Sequence, residues 1–221
     1  MTSTMPVRST TVVVSEEVGA ALACREPVVA METSVLTGGT YPHNLETALA
    51  VDQRARDEGA VPARVALVDG VLRVGVTDTE LELLAKGPAE GKISTRDMAV
   101  ALHNGATGGT TVSSSLVGAV EAGIRVFAVA GIGGVHRGAE VSFDISADLT
   151  EFSRSPVAVV CAGAKSLLDP ALTLEYLETA GVPVIGYRSD EFPGYYTRTT
   201  GCPVPHRLGQ LEDVVGVMHK H

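Results

Sequence analysis

The chain has 221 residues, 45% of them hydrophobic, which is ample for a sizeable core and excludes a disordered protein. Its formal net charge of −9 argues against a nucleic-acid polymer or an anionic membrane as the main partner, and leaves room for a small phosphorylated ligand in a local basic pocket. Three widely spaced cysteines, Cys24, Cys161 and Cys202, form no CxxC pair and no disulfide framework, which points to a reducing cytoplasm.

From the N-terminus, MTSTMPVRSTTVVVSEEV is a loose start that lacks the long apolar core and basic flank of a secretory signal. No run approaches the length needed to cross a bilayer. Ser15 caps a helix over residues 15–23, with Glu16 and Glu17 in its first turn. Residues 27–31 form a short β-like run that ends at Glu32, Thr33 and Ser34. A Gly38-Gly39 pair then leads to Pro42 and an amphipathic helix to about Glu58, with Leu45, Ala48 and Leu49 at helical spacing and Gly59 closing it.

Residues 64–68 and 72–76 read as two strands joined by Asp69-Gly70, a common hairpin signal. Residues 78–86 form a helix with an acidic start and a basic end. Lys92 follows Gly91 in a short connection, and Ser94 with Asp97 opens a capped helix towards His103. Gly108-Gly109-Thr110-Thr111 opens an apolar helix to Ala122, and Gly123 ends it. Buried strands follow at 124–130 and 157–161, a helix at 172–179, a strand at 182–186 and a final amphipathic helix from 211.

Strands alternating with helices predict an α/β fold, three-layer α/β/α with a mostly parallel central sheet. The hairpin over 64–76 is expected as a small addition, and residues 1–221 as a single domain. The chain ends soon after its last helix begins, as a shortened C-terminus would.

The chemistry-bearing stretch is residues 128–149, AVAGIGGVHRGAEVSFDISADL. Gly131, Gly133 and Gly134 follow an apolar strand and allow close backbone approach or positive φ. His136, Arg137, Asp144, Ser146 and Asp148 come next, the kind of cluster α/β proteins place beyond strand ends. Asp144 and Asp148 lie four apart, and either suits a hard divalent ion such as Mg or Mn completed by water, rather than Zn.

Lys165 follows the 157–161 strand through Ala162-Gly163-Ala164. Partial desolvation there favours a nucleophilic amine, the alternative being a surface lysine at a helix start. Glu32 holds the equivalent position after the 28–31 run, as a general acid or base or as a turn cap. Lys92 can hold phosphate. Gly108 to Thr111 offers backbone N–H groups and the Thr110 and Thr111 hydroxyls to an anion, or caps a helix. No GK[ST] follows, and the sixth position from Gly131 is His136, so neither a P-loop nor a dinucleotide motif is present. Cys161, in an apolar run, reads as core.

Met31-Glu-Thr-Ser, Gly108-Gly-Thr-Thr-Val, Gly131-Ile-Gly-Gly-Val-His-Arg-Gly-Ala-Glu, Asp144-Ile-Ser-Ala-Asp, Cys161-Ala-Gly-Ala-Lys and the YRSDEFPGYY run from Tyr187 together resemble the pseudouridine-5′-phosphate glycosidase family. The likeness runs from about Ala21 to Leu211. It implies an enzyme that reversibly cleaves the C–C glycosidic bond of pseudouridine 5′-phosphate to ribose 5-phosphate and uracil. It also implies a cytoplasmic homotrimer and a Mn-type ion, with Mg as the alternative.

Position by position, Glu32 resembles the family's proton donor and Lys165 its nucleophile. Lys92, Val112, Ser146, Ala147 and Asp148 resemble substrate contacts, to which His136, Arg137, Thr110 and Thr111 are added as phosphate or sugar contacts, and Asp144 resembles the metal ligand. Ring opening assisted by an acid lets an amine capture C1′ as an imine, an electron sink that releases uracil. The family continues with further helices and an Asn-Pro segment absent here. Relatives that join ribose 5-phosphate to other aromatic acceptors share these motifs, so a C-ribosyl synthase stands as an alternative. A sugar-phosphate-binding remnant without activity is another.

Overall fold

A computed structural model describes residues 12–87 and 91–221, so most of the stretch weighed against a signal peptide lies outside the described residues. The chain divides into two compact units, Met1–Ile124 and Arg125–His221, where the sequence suggests one α/β domain.

The first unit runs β1 (Val12–Val14), α1 (Glu16–Ala23), β2 (Val28–Met31), α2 (Ser34–Thr37), α3 (His43–Asp57), β3 (Val61–Val68), β4 (Val71–Val74), α4 (Asp78–Lys86), β5 (Lys92–Ile93), α5 (Thr95–His103), β6 (Gly108–Thr110) and α6 (Val112–Ala122). Strand β3 is its hub. Seven of its eight residues are buried. It pairs in parallel with β2 and antiparallel with both β4 and β6. β1 adds in parallel to β4, and β5 to β6.

The hairpin expected at the margin is therefore the centre of this sheet. A run as apolar as VPARVALV must be covered on both faces and both edges. On one face, Val65 packs under α6, where a Cβ on Gly118 would stand 2.8 Å from Val65 Cγ1. On the other, Ala66 and Val68 join Leu36, Ala48, Leu81 and Leu84 from α2, α3 and α4. This alternation gives the unit helices on both faces of its sheet, the expected three layers.

The helix ends follow their sequence signals. Ser15 accepts from the Val18 N–H, Thr77 and Glu80 form a reciprocal capping box, and Gly123 ends α6 in the left-handed region at φ 79°. Two readings change. The VVV run at residues 12–14 is not loose but forms edge strand β1, and Gly108–Thr110 is strand β6, so α6 begins only at Val112.

The second unit runs β7 (Val126–Ala128), β8 (Val135–His136), α7 (Ala139–Ser142), α8 (Ala147–Phe152), β9 (Ala158–Val160), β10 (Leu168–Asp169), α9 (Pro170–Thr179), β11 (Ile185–Tyr187), β12 (His206–Leu208) and α10 (Leu211–Met218). Pairs β7–β9 and β11–β12 are parallel, and β10–β8 is antiparallel. Strand β9 is shorter than its apolar run and only half-buried, with Val160 62% exposed. Its pairing nevertheless continues past the strand. Val129 N–H donates to Val160 O, Ala162 N–H to Ala130 O, Ile132 N–H to Gly163 O and Lys165 N–H to Ile132 O. The two chain segments that leave β7 and β9 thus stay laddered side by side.

Candidate active site

In the first unit the chemistry begins where β3 changes partners. β2 pairs with β3 up to Met31↔Arg64, and β6 takes over at Ala66↔Gly109. Val65 falls at this junction. Its carbonyl accepts from the hydroxyls of Thr33, at 2.6 Å, and of Thr110. Thr33 Oγ1 in turn accepts from the Thr110 N–H at 3.1 Å, and Thr110 Oγ1 lies 2.8 Å from Ser115 Oγ. A strand junction would leave such groups unpaired, and the hydroxyls satisfy them.

Glu32 leaves the sheet at this junction. It is buried, and its Oε2 accepts from the Val35 N–H at 3.1 Å, so it does cap the turn into α2. Its backbone carbonyl accepts from Arg64 Nη1 at 3.1 Å. Arg64 is buried as well: Nη2 donates to Ala48 O at 3.0 Å and Nε contacts both Asp52 oxygens at 2.8 and 3.0 Å. Sequence reasoning misses Arg64 and Asp52. The available signal is a lone arginine inside an otherwise apolar strand, which a buried site tolerates only with a counter-charge.

Thr110, expected among the substrate contacts, is fully buried and its hydroxyl is committed inside the sheet. Thr111 is half-buried at the α6 N-cap, its hydroxyl 3.0 Å from Ser113 Oγ. Val112 is buried in the first turn of α6. Lys92 is exposed in β5, and a Cβ on Gly38 would lie 3.6 Å from its Cε.

In the second unit the laddered segments beyond β7 and β9 present Gly131, Gly133 and Gly134 on one strand end and Lys165 on the other. The Gly133 N–H donates to Asp148 Oδ2 at 2.8 Å. A Cβ on Gly133 would sit 2.6 Å from Ser146 Cβ and 2.7 Å from Asp148 Oδ2, closer than real side chains come. Ser146 caps α8 by accepting from the Asp148 N–H at 3.2 Å, and its own N–H donates to Gly134 O at 3.0 Å. Ala147 is the first residue of α8. The glycines therefore bring Ser146 and Asp148 against the strand end.

Lys165 is half-buried and is followed by a turn and β10, not by a helix start. His136 and Asp144 are joined twice. The His136 N–H donates to Asp144 O at 3.0 Å, and His136 Nδ1 lies 3.8 Å from Asp144 Oδ2. Arg137 is exposed in the same loop. Cys161 packs in the apolar cluster of Ile132, Ala164 and Phe192, and burial pushes its thiol up, which fits core rather than nucleophile.

Among the described residues no three His, Cys, Asp or Glu side chains gather as a metal cluster. Of the two candidate carboxylates, Asp148 is buried and holds Gly133, whereas the Asp144 side chain is 65% exposed beside His136. One exposed carboxylate with a neighbouring imidazole suits a hard ion that keeps most of its water, and not a closed zinc site. No described helix is long and apolar enough to cross a membrane.

Glu32 lies just beyond the carboxyl end of parallel strand β2 and Lys165 beyond that of β9, positions at which α/β proteins commonly bind ligands. The family described as Indigoidine synthase A like protein matches residues 17–221, and the chain belongs to that family. Pseudouridine-5′-phosphate glycosidase 2 of Rhizobium johnstonii is 53% identical over 208 residues, covering 94% of this chain and 67% of its own length. The pseudouridine-5′-phosphate glycosidase of Dickeya dadantii is 54% identical, covering 94% of this chain and 66% of its own length. The chain thus spans about two thirds of the length of these relatives. Among solved structures, the prealnumycin C-glycosynthase AlnA in complex with ribulose 5-phosphate matches with a TM-score of 0.89 and 45% identity, over 96% of this chain and 69% of that one. An indigoidine synthase A-like protein of Thermotoga maritima matches with a TM-score of 0.85 and 32% identity, over the same shares.

Proposed function

We propose that the chain reversibly cleaves the C–C glycosidic bond of pseudouridine 5′-phosphate, giving ribose 5-phosphate and uracil by way of an imine on Lys165. The observation that carries this reading is the identity of 53% with a pseudouridine-5′-phosphate glycosidase over 94% of the chain. That share of the chain takes in both strand ends, which carry Glu32 and Lys165.

The chemistry needs an acid and an amine. A carbon leaving group cannot depart as a nitrogen-linked base does, so the sugar must first become an electron sink. Lys165 Nζ forms a bond to C1′ as the C1′–O4′ bond breaks, and O4′ takes a proton from Glu32. The nitrogen lone pair then makes the imine as the C1′–C5 bond breaks, and the uracil carbon that receives the electron pair takes up a proton. Water hydrolyses the imine, returning the amine and releasing ribose 5-phosphate. Run backwards, the same steps join the two.

Lys92, Arg137 and His136 are the cationic or hydrogen-bonding groups assigned to phosphate. Val112 at the start of α6 and Ser146, Ala147 and Asp148 at the start of α8 contact the sugar, with Thr111 beside the α6 N-terminus. Thr110 is left to the sheet. Asp144, next to His136, would hold a Mn or Mg ion with water, which supplies positive charge near the substrate's oxygens. A homotrimer working in the cytoplasm completes this reading.

Borohydride added with ribose 5-phosphate is expected to fix an adduct on the Lys165 peptide, and Lys165→Ala to remove it. No adduct, or one retained in Lys165→Ala, overturns the imine. A second reading, a C-ribosyl synthase using another aromatic acceptor, is favoured by the 45% identity to prealnumycin C-glycosynthase. Ribose 5-phosphate offered with uracil and with other aromatic acceptors separates the two: consumption of uracil supports the glycosidase.

A further inference from the structure

Tyr195 has a backbone that tyrosine rarely adopts. Its φ is 67°, in the left-handed region where a bulky side chain is an outlier. Such a conformation persists where the surrounding structure over-determines it, and it clusters at functional sites. Here the surroundings are explicit. The Tyr195 N–H donates to Ala162 O at 3.0 Å, and Gly194 forms an antiparallel bridge with Gly163. The loop that carries it is pinned behind as well: the Phe192 N–H donates to Cys202 O at 2.8 Å, Thr200 Oγ1 to Phe192 O at 2.6 Å, and Glu191 Oε2 accepts from Thr200 and Gly201.

The loop is thus strapped, backbone to backbone, to the two residues that begin the approach to Lys165. It delivers the Tyr195 ring onto Gly131. A Cβ on Gly131 would stand 2.7 Å from Tyr195 Cε2 and 3.3 Å from Lys165 Cγ, so ring and lysine stem both lie over one glycine. Lys165 carries four rotatable side-chain bonds, and its stem is useful to an imine mechanism only if it is held in line.

We propose that Tyr195 is the positioning residue of Lys165: its ring, seated on Gly131, is the wall that fixes the lysine stem for attack. The assignment rests on Lys165 as the imine-forming amine, and it uses the Cδ2–Cε2 edge of the ring that lies over Gly131. The bare Cα of Gly131 is what lets the ring come down.

Two readouts on the 221-residue chain test it. Reductive dimethylation with formaldehyde and cyanoborohydride measures how freely Lys165 reacts, read by peptide mass spectrometry against Lys86 and Lys220. Borohydride trapping with ribose 5-phosphate measures its productive attack. Tyr195→Ala is expected to raise Lys165 dimethylation at least threefold with Lys86 and Lys220 unchanged. The same variant lowers the trapping rate at least tenfold while the half-saturating sugar phosphate moves less than threefold. Tyr195→Phe stays within twofold of the parent on both.

Gly131→Ala, which pushes the ring off, reproduces the loss, and adds less than twofold in the Tyr195→Ala background. It carries the same test if Tyr195→Ala does not fold. Unchanged Lys165 dimethylation in both variants, losses that multiply, or a Tyr195→Phe as impaired as Tyr195→Ala overturns the proposal. A parent that forms no adduct sinks the imine reading instead, and the dimethylation result still decides whether the wall exists.

Discussion

The buried pair beneath Glu32 gives the sharpest prediction. The Arg64 side chain is 6% exposed and that of Asp52 15%, and the guanidinium spends its donors on both Asp52 oxygens, Glu32 O and Ala48 O. Asp52→Ala leaves the cation buried with carbonyl dipoles alone. Stranding one member of such a pair costs about 3–5 kcal/mol. For a chain of this size each kcal/mol lowers the melting temperature by about 2–4 °C, so a fall of roughly 10 °C is expected by calorimetry or circular dichroism. An apolar replacement of both partners, Asp52→Leu with Arg64→Met, removes the charge and is expected to recover most of that loss. It does not restore the donor to Glu32 O, so the turnover rate stays down by about tenfold, near 1.4 kcal/mol in the barrier. Stability and activity thus part company in the double variant. A melting point within 2 °C of the parent for Asp52→Ala, or full turnover in the double variant, refutes the argument that Arg64 anchors Glu32 (~1 kcal/mol is the resolution of that comparison).

Gly133→Ala forces Ser146 and Asp148 off the strand end. Overpacking of about 1–3 kcal/mol and loss of sugar-phosphate binding by calorimetric titration are expected, and an unchanged affinity would argue against that wall of the site. The Arg96 and Ser94 hydrogen bonds hold the Asp97 carboxyl below its ordinary value, so its contribution is present above the unfolded carboxyl range and is lost as pH falls through the folded value. Asp97→Asn should therefore cost about 0.5 kcal/mol at neutral pH, after screening at this partly exposed site, and progressively less as pH falls below the ordinary carboxyl range, by denaturant titration at each pH. A pH-independent difference contradicts the capping role. Burial raises the Cys161 thiol while Cys24 is exposed, so iodoacetamide near pH 8 should alkylate Cys24 well before Cys161, and equal rates contradict its place in the core.

Much of the fold is legible where one local rule decides it. Ser15, Thr77, Ser94 and Gly123 mark helix ends because capping is settled within three or four residues. Asp69-Gly70 marks the hairpin for the same reason, with Asp69 at φ 49° and Gly70 at φ 70°. Position in the sheet is another matter. That β3 lies at the hub depends on β2 and β6, which are distant in sequence and take successive halves of one strand. Gly108–Thr110 reads as a helix start because a helix does follow, and the three residues of β6 are too few to show a period. Arg64 and Asp52 escape because a charge pair twelve residues apart carries no local signature.

The glycines beyond β7 show why the site is harder to read than the fold. Sequence alone offers two reasons for them, left-handed backbone or close approach of a ligand. Neither Gly131, Gly133 nor Gly134 has a positive φ, whereas Gly163 on the neighbouring segment does, at 84°. Their common property is what occupies the space a Cβ would need: the Tyr195 ring over Gly131, Ser146 and Asp148 over Gly133, Thr173 Oγ1 at 2.5 Å over Gly134. Each glycine is small so that one or two side chains of the second unit can reach the strand end. Thr173 then accepts from the Val135 N–H at 3.0 Å and donates to Asp169 O at 2.6 Å, which ties α9 to β8. The same three residues thus admit the proposed sugar contacts, the proposed lysine wall and a structural tie. A motif of that kind is specified by partners 13 to 64 residues away in sequence, as the Gly133–Ser146 and Gly131–Tyr195 approaches require. Alanine at each position should therefore displace a different named side chain, and the three losses should differ in kind: stability for Gly134, sugar binding for Gly133, and attack by Lys165 for Gly131.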